Sequence, residues 1–172
     1  MGSTLTVDNI VGATTAANVK LPAGSILQTV TAEHGTYVQT TGSSFADTGL
    51  QCSITPKYAN SHILIICNVQ AGKSGANAFE PACRILRVSG SAMIGAEGQR
   101  YVYSRIEDGS SNMHASGMTT ITRKDTSHNS TSSQTYKFQH RIISGGGTLR
   151  HNDYSTGTPP VQSTMILMEI SQ

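Results

Sequence analysis

The longest apolar run in the chain lies in residues 61–72, with the sequence SHILIICNVQAG. Turn-forming residues bound it, with Pro56 and Asn60 before it and Gly75 after it. Three of the four residues at positions 63–66 are isoleucine, which loses side-chain freedom in a helix and packs well on a pleated sheet. The run therefore predicts a central strand that is buried on both faces.

Shorter alternating runs predict the remaining strands. The clearest lies in residues 134–144, where apolar and polar side chains alternate with a period of two. Its expected inward set is Tyr136, Phe138, His140 and Ile142, and its expected outward set is Lys137, Gln139 and Arg141. Further strands are predicted over residues 25–33, 37–41, 45–54, 81–89, 101–106, 114–123, 148–152 and 163–170. Residues 73–80 and 124–133 read as loops, and residues 90–98 as a tight hairpin region.

About nine or ten short strands with regularly spaced turn signals, and no sustained helical period, predict an all-β domain. The fold class that fits is an antiparallel β-sandwich with jelly-roll-like connections, formed by residues 25–172. Residues 1–24 read as an N-terminal extended arm, with too few apolar residues for a core but enough to dock on another surface. A disordered tail is the alternative for this segment. The apolar arm residues, predicted to attach the protein to a larger assembly, are Leu5, Val7, Ile10, Val19 and Leu21.

Charge is sparse in this 172-residue chain, since charged residues make up 13% of it against the usual quarter. The formal net charge of +2 gives no electrostatic case for binding nucleic acid or an anionic membrane. Arg84, Arg87 and the adjacent Arg123 and Lys124 are expected to be ordinary solvated charges. No run approaches the length of a membrane helix and no secretory signal is visible, so membrane insertion is not expected.

The cysteines and histidines show no chemical motif. An odd count of three cysteines without close spacing does not predict a disulfide framework, and Cys67 and Cys83 fall in apolar strands as small core residues. Free cysteines of this kind favour a protein that folds in a reducing compartment. None of the six histidines has metal-ligand spacing, and His140 is expected to be a hydrogen-bonded core or interface residue rather than a ligand.

No catalytic constellation stands out either. Asp108, Asp125 and Asp153 read as isolated loop acids, without the paired carboxyl groups that a glycosidase needs. The sequence AGKS at residues 71–74 ends like a phosphate-binding loop, but position 67 is cysteine where that loop needs glycine. The sequence therefore predicts no enzyme activity, no metal site and no cofactor.

Four stretches resemble a family of small structural proteins of marine and cyanobacterial tailed phages, described as tail-fibre or virion-surface proteins. These stretches are STLTVDNI, LPAGSILQTV, GLQCSITPKYANSHILIICNV and STMILMEI. The motif SITP, followed by polar residues and S-x-I-L-I, is the most specific. Thr135, Tyr136 and Phe138 match a strand that follows a polar loop in that family. The matched motifs are mostly core strands, so the resemblance bears on fold and origin more than on a binding role.

The resemblance implies a virion protein that is assembled in the host cytoplasm as a homotrimer. It would join other virion proteins through the arm and contact a host surface glycan or protein. The family offers no catalytic residues for this chain. A capsid decoration protein that stabilises the head is one alternative. A free carbohydrate-binding module is another, and its candidate sugar-stacking residues are Tyr37, Tyr101, Tyr103 and Tyr154.

Overall fold

Ten β-strands and one turn of 3-10 helix, Ser89–Ser91, form the secondary structure of the described residues. The computed structural model describes residues 21–74, 79–100, 114–153 and 161–172. The strands are β1 (Ile26–His34), β2 (Val38–Thr40), β3 (Ala46–Ile54), β4 (His62–Ser74), β5 (Phe79–Arg87), β6 (Ala92–Arg100), β7 (His114–Asp125), β8 (Gln134–Gly145), β9 (Thr148–His151) and β10 (Ser163–Ile170). The prediction of an all-β fold is confirmed.

The strands form two antiparallel sheets that pack face to face. In sheet A, β1 pairs with β10, β10 pairs with one edge of β4, and β7 pairs with the other edge of β4. Residues 71–74 of β4 lie past the end of β10 and pair on that same edge with β9, which pairs with β2. Sheet B has the order β3-β8-β5-β6. The eight longer strands are thus divided between two sheets in the manner of a jelly roll. The predicted β-sandwich with jelly-roll-like connections is therefore confirmed.

The sandwich has two ends, which we name proximal and distal. At the proximal end, Ile26 of β1 pairs with Ile170 of β10, which also pairs with His62 of β4. At the distal end, Phe79 at the start of β5 pairs with Gly145 at the end of β8. The chain therefore enters β1 and leaves β10 at the same proximal end.

The core lies between the sheets and is built from alternate residues of each strand. In β8 the predicted inward residues Tyr136, Phe138, His140 and Ile142 are all buried, as the period of two requires. Among the described residues, the other large side chains that are almost completely buried are Leu50, Ile54, Ile63, Ile65, Ile85, Leu149, His151, Met165 and Leu167. The predicted outward residue Gln139 is buried as well, because neighbouring polar side chains cover its amide.

The central strand β4 differs from its prediction. Ile63, Ile65 and Cys67 are fully buried, whereas Leu64 and Ile66 lie half-buried on the outer face of sheet A. Within the described residues no second layer covers that outer face, so the strand is not buried on both faces.

Strand boundaries also differ in the middle of the chain. The predicted loop 73–80 is shorter, since β4 continues to Ser74 and β5 begins at Phe79. The predicted hairpin region 90–98 instead belongs largely to β6. Its glycines allow an irregular ladder: Gly95 has φ of +97° and lies where the pairing with β5 shifts register. The predicted strand 101–106 lies outside the described residues.

Candidate functional site

The proximal end is organised by the carboxylate of Glu169, which is fully buried at the end of β10. It accepts hydrogen bonds from the backbone N–H groups of Lys57 and Tyr58 at 2.8 and 3.1 Å, from the Ser61 hydroxyl at 2.7 Å and from the Gln28 amide at 2.6 Å. Burial alone would raise its pKa, but these donors hold the pKa of Glu169 below its usual range. The residues of the PKYANS segment are thereby fixed against the end of sheet A.

A second buried carboxylate links the two sheets near the same end. Asp125, the last residue of β7, forms an ion pair with Arg87 of β5 and accepts the Tyr136 hydroxyl at 2.8 Å. Burial opposes its ionisation, yet donors from Ser127, Tyr136 and Arg87 hold the pKa of Asp125 below its usual range. Two predictions are wrong here, because Arg87 is not a solvated charge and Asp125 is not a loop residue.

The segment that would connect the predicted arm to β1 lies beside Ser171. Gly24 donates its backbone N–H to the Ser171 carbonyl at 2.9 Å, and the Ser171 hydroxyl donates to the Leu21 carbonyl at 3.2 Å. Leu21 is 47% exposed. A shallow pocket of about 80 Å³ next to it is lined by Leu21, Tyr58, Asn60, Ser171 and Gln172. Of the predicted arm residues only Leu21 is described, and Leu5, Val7, Ile10 and Val19 lie outside the described residues.

The outer face of sheet A is apolar at its centre. Leu64 and Ile66 of β4 pair with Met168 and Ile166 of β10, and all four side chains are half-buried on this face. Exposed apolar side chains extend the face on β1 and β7, with Ile26 at 55% and Met118 at 57% exposure. The other outward residues include six uncharged ones, Thr29, Thr31, Asn68, Thr120, Thr122 and Thr164. Two charged residues also lie on this face, with Lys124 opposite Leu64 and Glu33 opposite Thr164.

The outer face of sheet B carries more polar and charged side chains, although Met93 and Ile143 are also exposed on it. Lys137 pairs with Asp47 at 2.7 Å, and Asp47 also accepts the Gln139 amide at 2.6 Å. Gln139 in turn accepts from Nε of Arg84 at 2.7 Å. The Arg84 side chain also stacks on the ring of Phe45, so the prediction of an ordinary solvated charge is wrong for this residue too.

Histidine rings meet in the core toward the distal end. The rings of His140 in β8 and His151 in β9 lie 4.6 Å apart, and the ring of His34 lies against Gly49, where an added Cβ would come within 2.5 Å of it. Burial lowers the pKa of His140 to about 4. Burial and the neighbouring His140 lower the pKa of His151 to about 3. Neither ring nitrogen of His140 has a hydrogen-bond partner among the described residues, so His140 is a core residue but not the hydrogen-bonded one predicted.

The cysteines are free and buried, as predicted for Cys67 and Cys83, and Cys52 joins them in the core. Burial raises the pKa of Cys67 and of Cys83 to about 12.

Tyr37 is half-buried and donates its hydroxyl to Gln39, whereas the other candidate sugar-stacking tyrosines lie outside the described residues.

Sequence reasoning missed Glu169 and Phe45. Glu169 is the one acidic residue of an otherwise apolar closing strand, MILMEI, and that contrast was a usable signal. Phe45 gave no signal, because its partners are distant in sequence.

Two negative findings concern the residues that the structure describes. No group of three or more histidine, cysteine or acidic side chains is arranged there to hold a metal ion. In the same residues no helix has the length and apolarity needed to cross a membrane.

Comparison with protein-family models gave no match, and comparison with curated proteins gave no significant relative.

Proposed function

We propose that the protein is a structural component of a tailed-phage virion, in which a homotrimeric β-sandwich is attached by its N-terminal arm and contacts the host surface. The observation that carries this proposal is the apolar outer face of sheet A. Isolated β-sandwiches usually present a polar outer face to water, and sheet B is closer to this pattern, with an ion pair and a hydrogen-bond chain on its outer face. An apolar face of this kind marks an interaction surface.

The occupant that suits this face is another copy of the chain. Four apolar side chains form the centre of the face, and the charged side chains beside them, Lys124 opposite Leu64 and Glu33 opposite Thr164, are of opposite sign. Copies that turn this face toward a common symmetry axis therefore do not bring together surfaces of a single charge. Four strands of seven residues span roughly 450 Å² in projection, which approaches one side of a small specific interface. Self-association would bury Leu64, Ile66, Ile166 and Met168 and would complete the second covered face that the sequence of β4 indicates.

The direction of the chain supports attachment through the arm. The arm reaches β1 at the proximal end, where Gly24 and Leu21 are hydrogen-bonded to Ser171. A particle that holds the arm would therefore present the distal end outward, and association through sheet A would leave the outer face of sheet B accessible. This arrangement is the one that a host-contacting virion protein requires.

The oligomeric state tests the assembly. Light scattering of the full chain should give three times the subunit mass of 18.2 kDa. Ile166→Glu places a charge in the apolar face and should give monomers. Ile143→Glu is the matched control, because Ile143 is a 40% exposed isoleucine on β8 of sheet B, and it should leave the mass unchanged. A monomeric wild-type protein would contradict the assembly and favour a free carbohydrate-binding module.

Particle composition tests the virion role. Mass spectrometry of purified particles should detect the protein, and replacing Leu5, Val7 and Ile10 by serine should remove it from particles while the free protein stays folded. Antibody labelling at the tail supports host attachment. Labelling of the head, with loss of heat resistance when the protein is missing, would identify the capsid decoration alternative instead.

A further inference from the structure

Two guanidinium groups share one aromatic ring on the outer face of sheet B. The Cζ atoms of Arg84 and Arg141 lie 4.3 and 4.5 Å from the ring centroid of Phe45. The two cations are therefore no further apart than the sum of those distances. We name Phe45, Asp47, Arg84, Gln139 and Arg141 the Phe45 patch.

The backbone fixes the position of the ring. Phe45 directly precedes β3, whose first residue Ala46 pairs with His140 of β8. On the other side of Phe45, the carbonyl of Gly42 accepts the backbone N–H of Ile142 at 2.9 Å. The segment is thus tied to β8 both before and after the ring, and Phe45 stays beside Arg141.

The side chains of the patch are also held before any ligand arrives. Gln139 accepts from Nε of Arg84 at 2.7 Å and donates to Asp47 at 2.6 Å. This chain of hydrogen bonds orients the Arg84 fork while leaving its terminal NH₂ groups for another acceptor. Preorganised donors bind an anion with less loss of side-chain entropy.

Positive charge exceeds negative charge in the patch. Asp47 is its one acidic member, and that carboxylate is shared with Lys137, which forms an ion pair with it at 2.7 Å. Arg141 makes no ion pair or hydrogen bond with any described residue, and its Nε is buried without a partner. An anion that reaches the terminal NH₂ groups of both arginines would supply acceptors that no described residue provides.

We propose that the Phe45 patch binds the carboxylate or sulfate groups of an acidic polysaccharide. Guanidinium groups recognise such anions through paired N–H donors, and a repeating acidic saccharide can place one anion near each arginine. The patch lies on sheet B, away from the apolar face of sheet A, so it stays accessible when copies associate through sheet A. Nucleic acid fits less well, because both arginines stack on the ring that a base would need.

This inference deepens the proposed host contact and rests on it for its biological setting, but it is tested on the isolated full-length protein. The probes are dextran sulfate and polygalacturonate of similar length, with neutral dextran as the uncharged control. Binding is measured by calorimetry at low ionic strength. Both acidic polymers should bind and neutral dextran should not; binding of only one of them identifies whether sulfate or carboxylate is the recognised group.

Substitutions locate the binding. The double variant Arg84→Gln, Arg141→Gln should weaken binding at least about ten-fold, as expected for loss of charge-assisted hydrogen bonds. Lys57→Gln removes one positive charge from an exposed residue at the proximal end and should change affinity less than about two-fold. The single variant Arg141→Lys keeps the charge but not the stacked fork, and it should show an intermediate loss.

Several results would overturn the proposal. One is the absence of binding by either acidic polymer, and another is equal weakening by Lys57→Gln. A third is a DNA oligonucleotide that binds as tightly as the polysaccharides and is equally sensitive to the arginine substitutions. Each of these leaves the particle-incorporation experiment unaffected, so a failure of this inference is distinguishable from a failure of the virion assignment.

Discussion

The hydroxyl of Tyr136 donates to Oδ2 of Asp125 at 2.8 Å and thereby joins sheet B to sheet A through the core. The same oxygen accepts from Nη1 of Arg87, so one carboxylate oxygen serves two donors from sheet B. Asp125 is 1% exposed and Arg87 is 8% exposed. A buried ion pair of this kind adds little net stability while intact, but removing one partner leaves an uncompensated charge.

We therefore expect Arg87→Met to destabilise the protein by about 3–5 kcal/mol, because Asp125 would remain buried without its counter-charge. Chemical denaturation at neutral pH measures the loss. The control is Lys137→Met, which breaks the ion pair between Lys137 and Asp47. Both side chains of that pair are partly exposed to solvent, so its loss should cost no more than about 1 kcal/mol. Equal losses in the two variants would show that the Arg87 pair is not energetically distinct.

How well the sequence predicts a feature of this fold depends on how far apart in sequence the interacting residues are. The alternation in β8 correctly placed Tyr136, Phe138, His140 and Ile142 inward, because the side-chain period of a strand is a local property. The ion pair of Asp125 was not predictable in the same way. Its partner is 38 residues away in sequence, and only the packing of the sheets brings them together.

A second prediction concerns Glu169, whose carboxylate accepts from Lys57, Tyr58, Ser61 and Gln28. Glu169→Gln replaces one acceptor oxygen by a donor and removes the charge. We expect a loss of about 1.5–3 kcal/mol, the usual worth of hydrogen bonds to a charged group. Thermal unfolding measures the loss, and hydrogen exchange should show faster exchange at the amides of Lys57 and Tyr58.

The control for this variant is Glu33→Gln, since Glu33 is an exposed glutamate on β1. It should change stability by less than about 0.5 kcal/mol. The pKa of Glu169 is lowered on folding, so its contribution is present above its ordinary pKa of 4.5 and is lost as the pH falls through its lower folded pKa. Unchanged exchange at Lys57 and Tyr58 in Glu169→Gln would contradict the anchoring role.

Because His140 and His151 are buried, we expect the stability of the protein to fall on acidification in a higher pH range than the one set by Glu169. The ordinary pKa of 6.5 falls to about 4 for His140 and to about 3 for His151. Between these values the unfolded chain binds protons that the folded chain excludes, so stability is full above about pH 6.5 and falls as the pH is lowered toward the folded pKa values. Each ring should contribute a slope of about 1.4 kcal/mol per pH unit.

His140→Leu tests this expectation, because it removes one of the two titrations. Denaturation midpoints between about pH 7.5 and about pH 5 should show a slope that is smaller by the equivalent of one proton. The control is Ile142→Val on the same inner face of β8, which should lower stability by a similar amount at every pH. A slope that is unchanged in His140→Leu would show that other groups cause the acid sensitivity.

The candidate surfaces were less predictable than the core. The apolar character of Leu64 and Ile66 is visible in the sequence, but hydrophobicity does not reveal whether a second layer of the same chain or another copy covers a residue. For Arg84 the prediction was wrong in the other direction, because a side chain expected to be solvated packs on an aromatic ring. Its stacking on Phe45 depends on the pairing of β3, β8 and β5, which sequence alone does not supply.

A last prediction concerns the three thiols. Cys52, Cys67 and Cys83 are at most 5% exposed, and burial raises the pKa of Cys67 and Cys83 to about 12. Because the thiolate is the reactive form, native protein near pH 8 should release almost no chromophore from a disulfide reagent such as Ellman's reagent. Denatured protein should react at all three cysteines, and Cys67→Ala should lower that total by one. Rapid reaction of a thiol in the native state would show that the interface between the sheets opens readily at that residue.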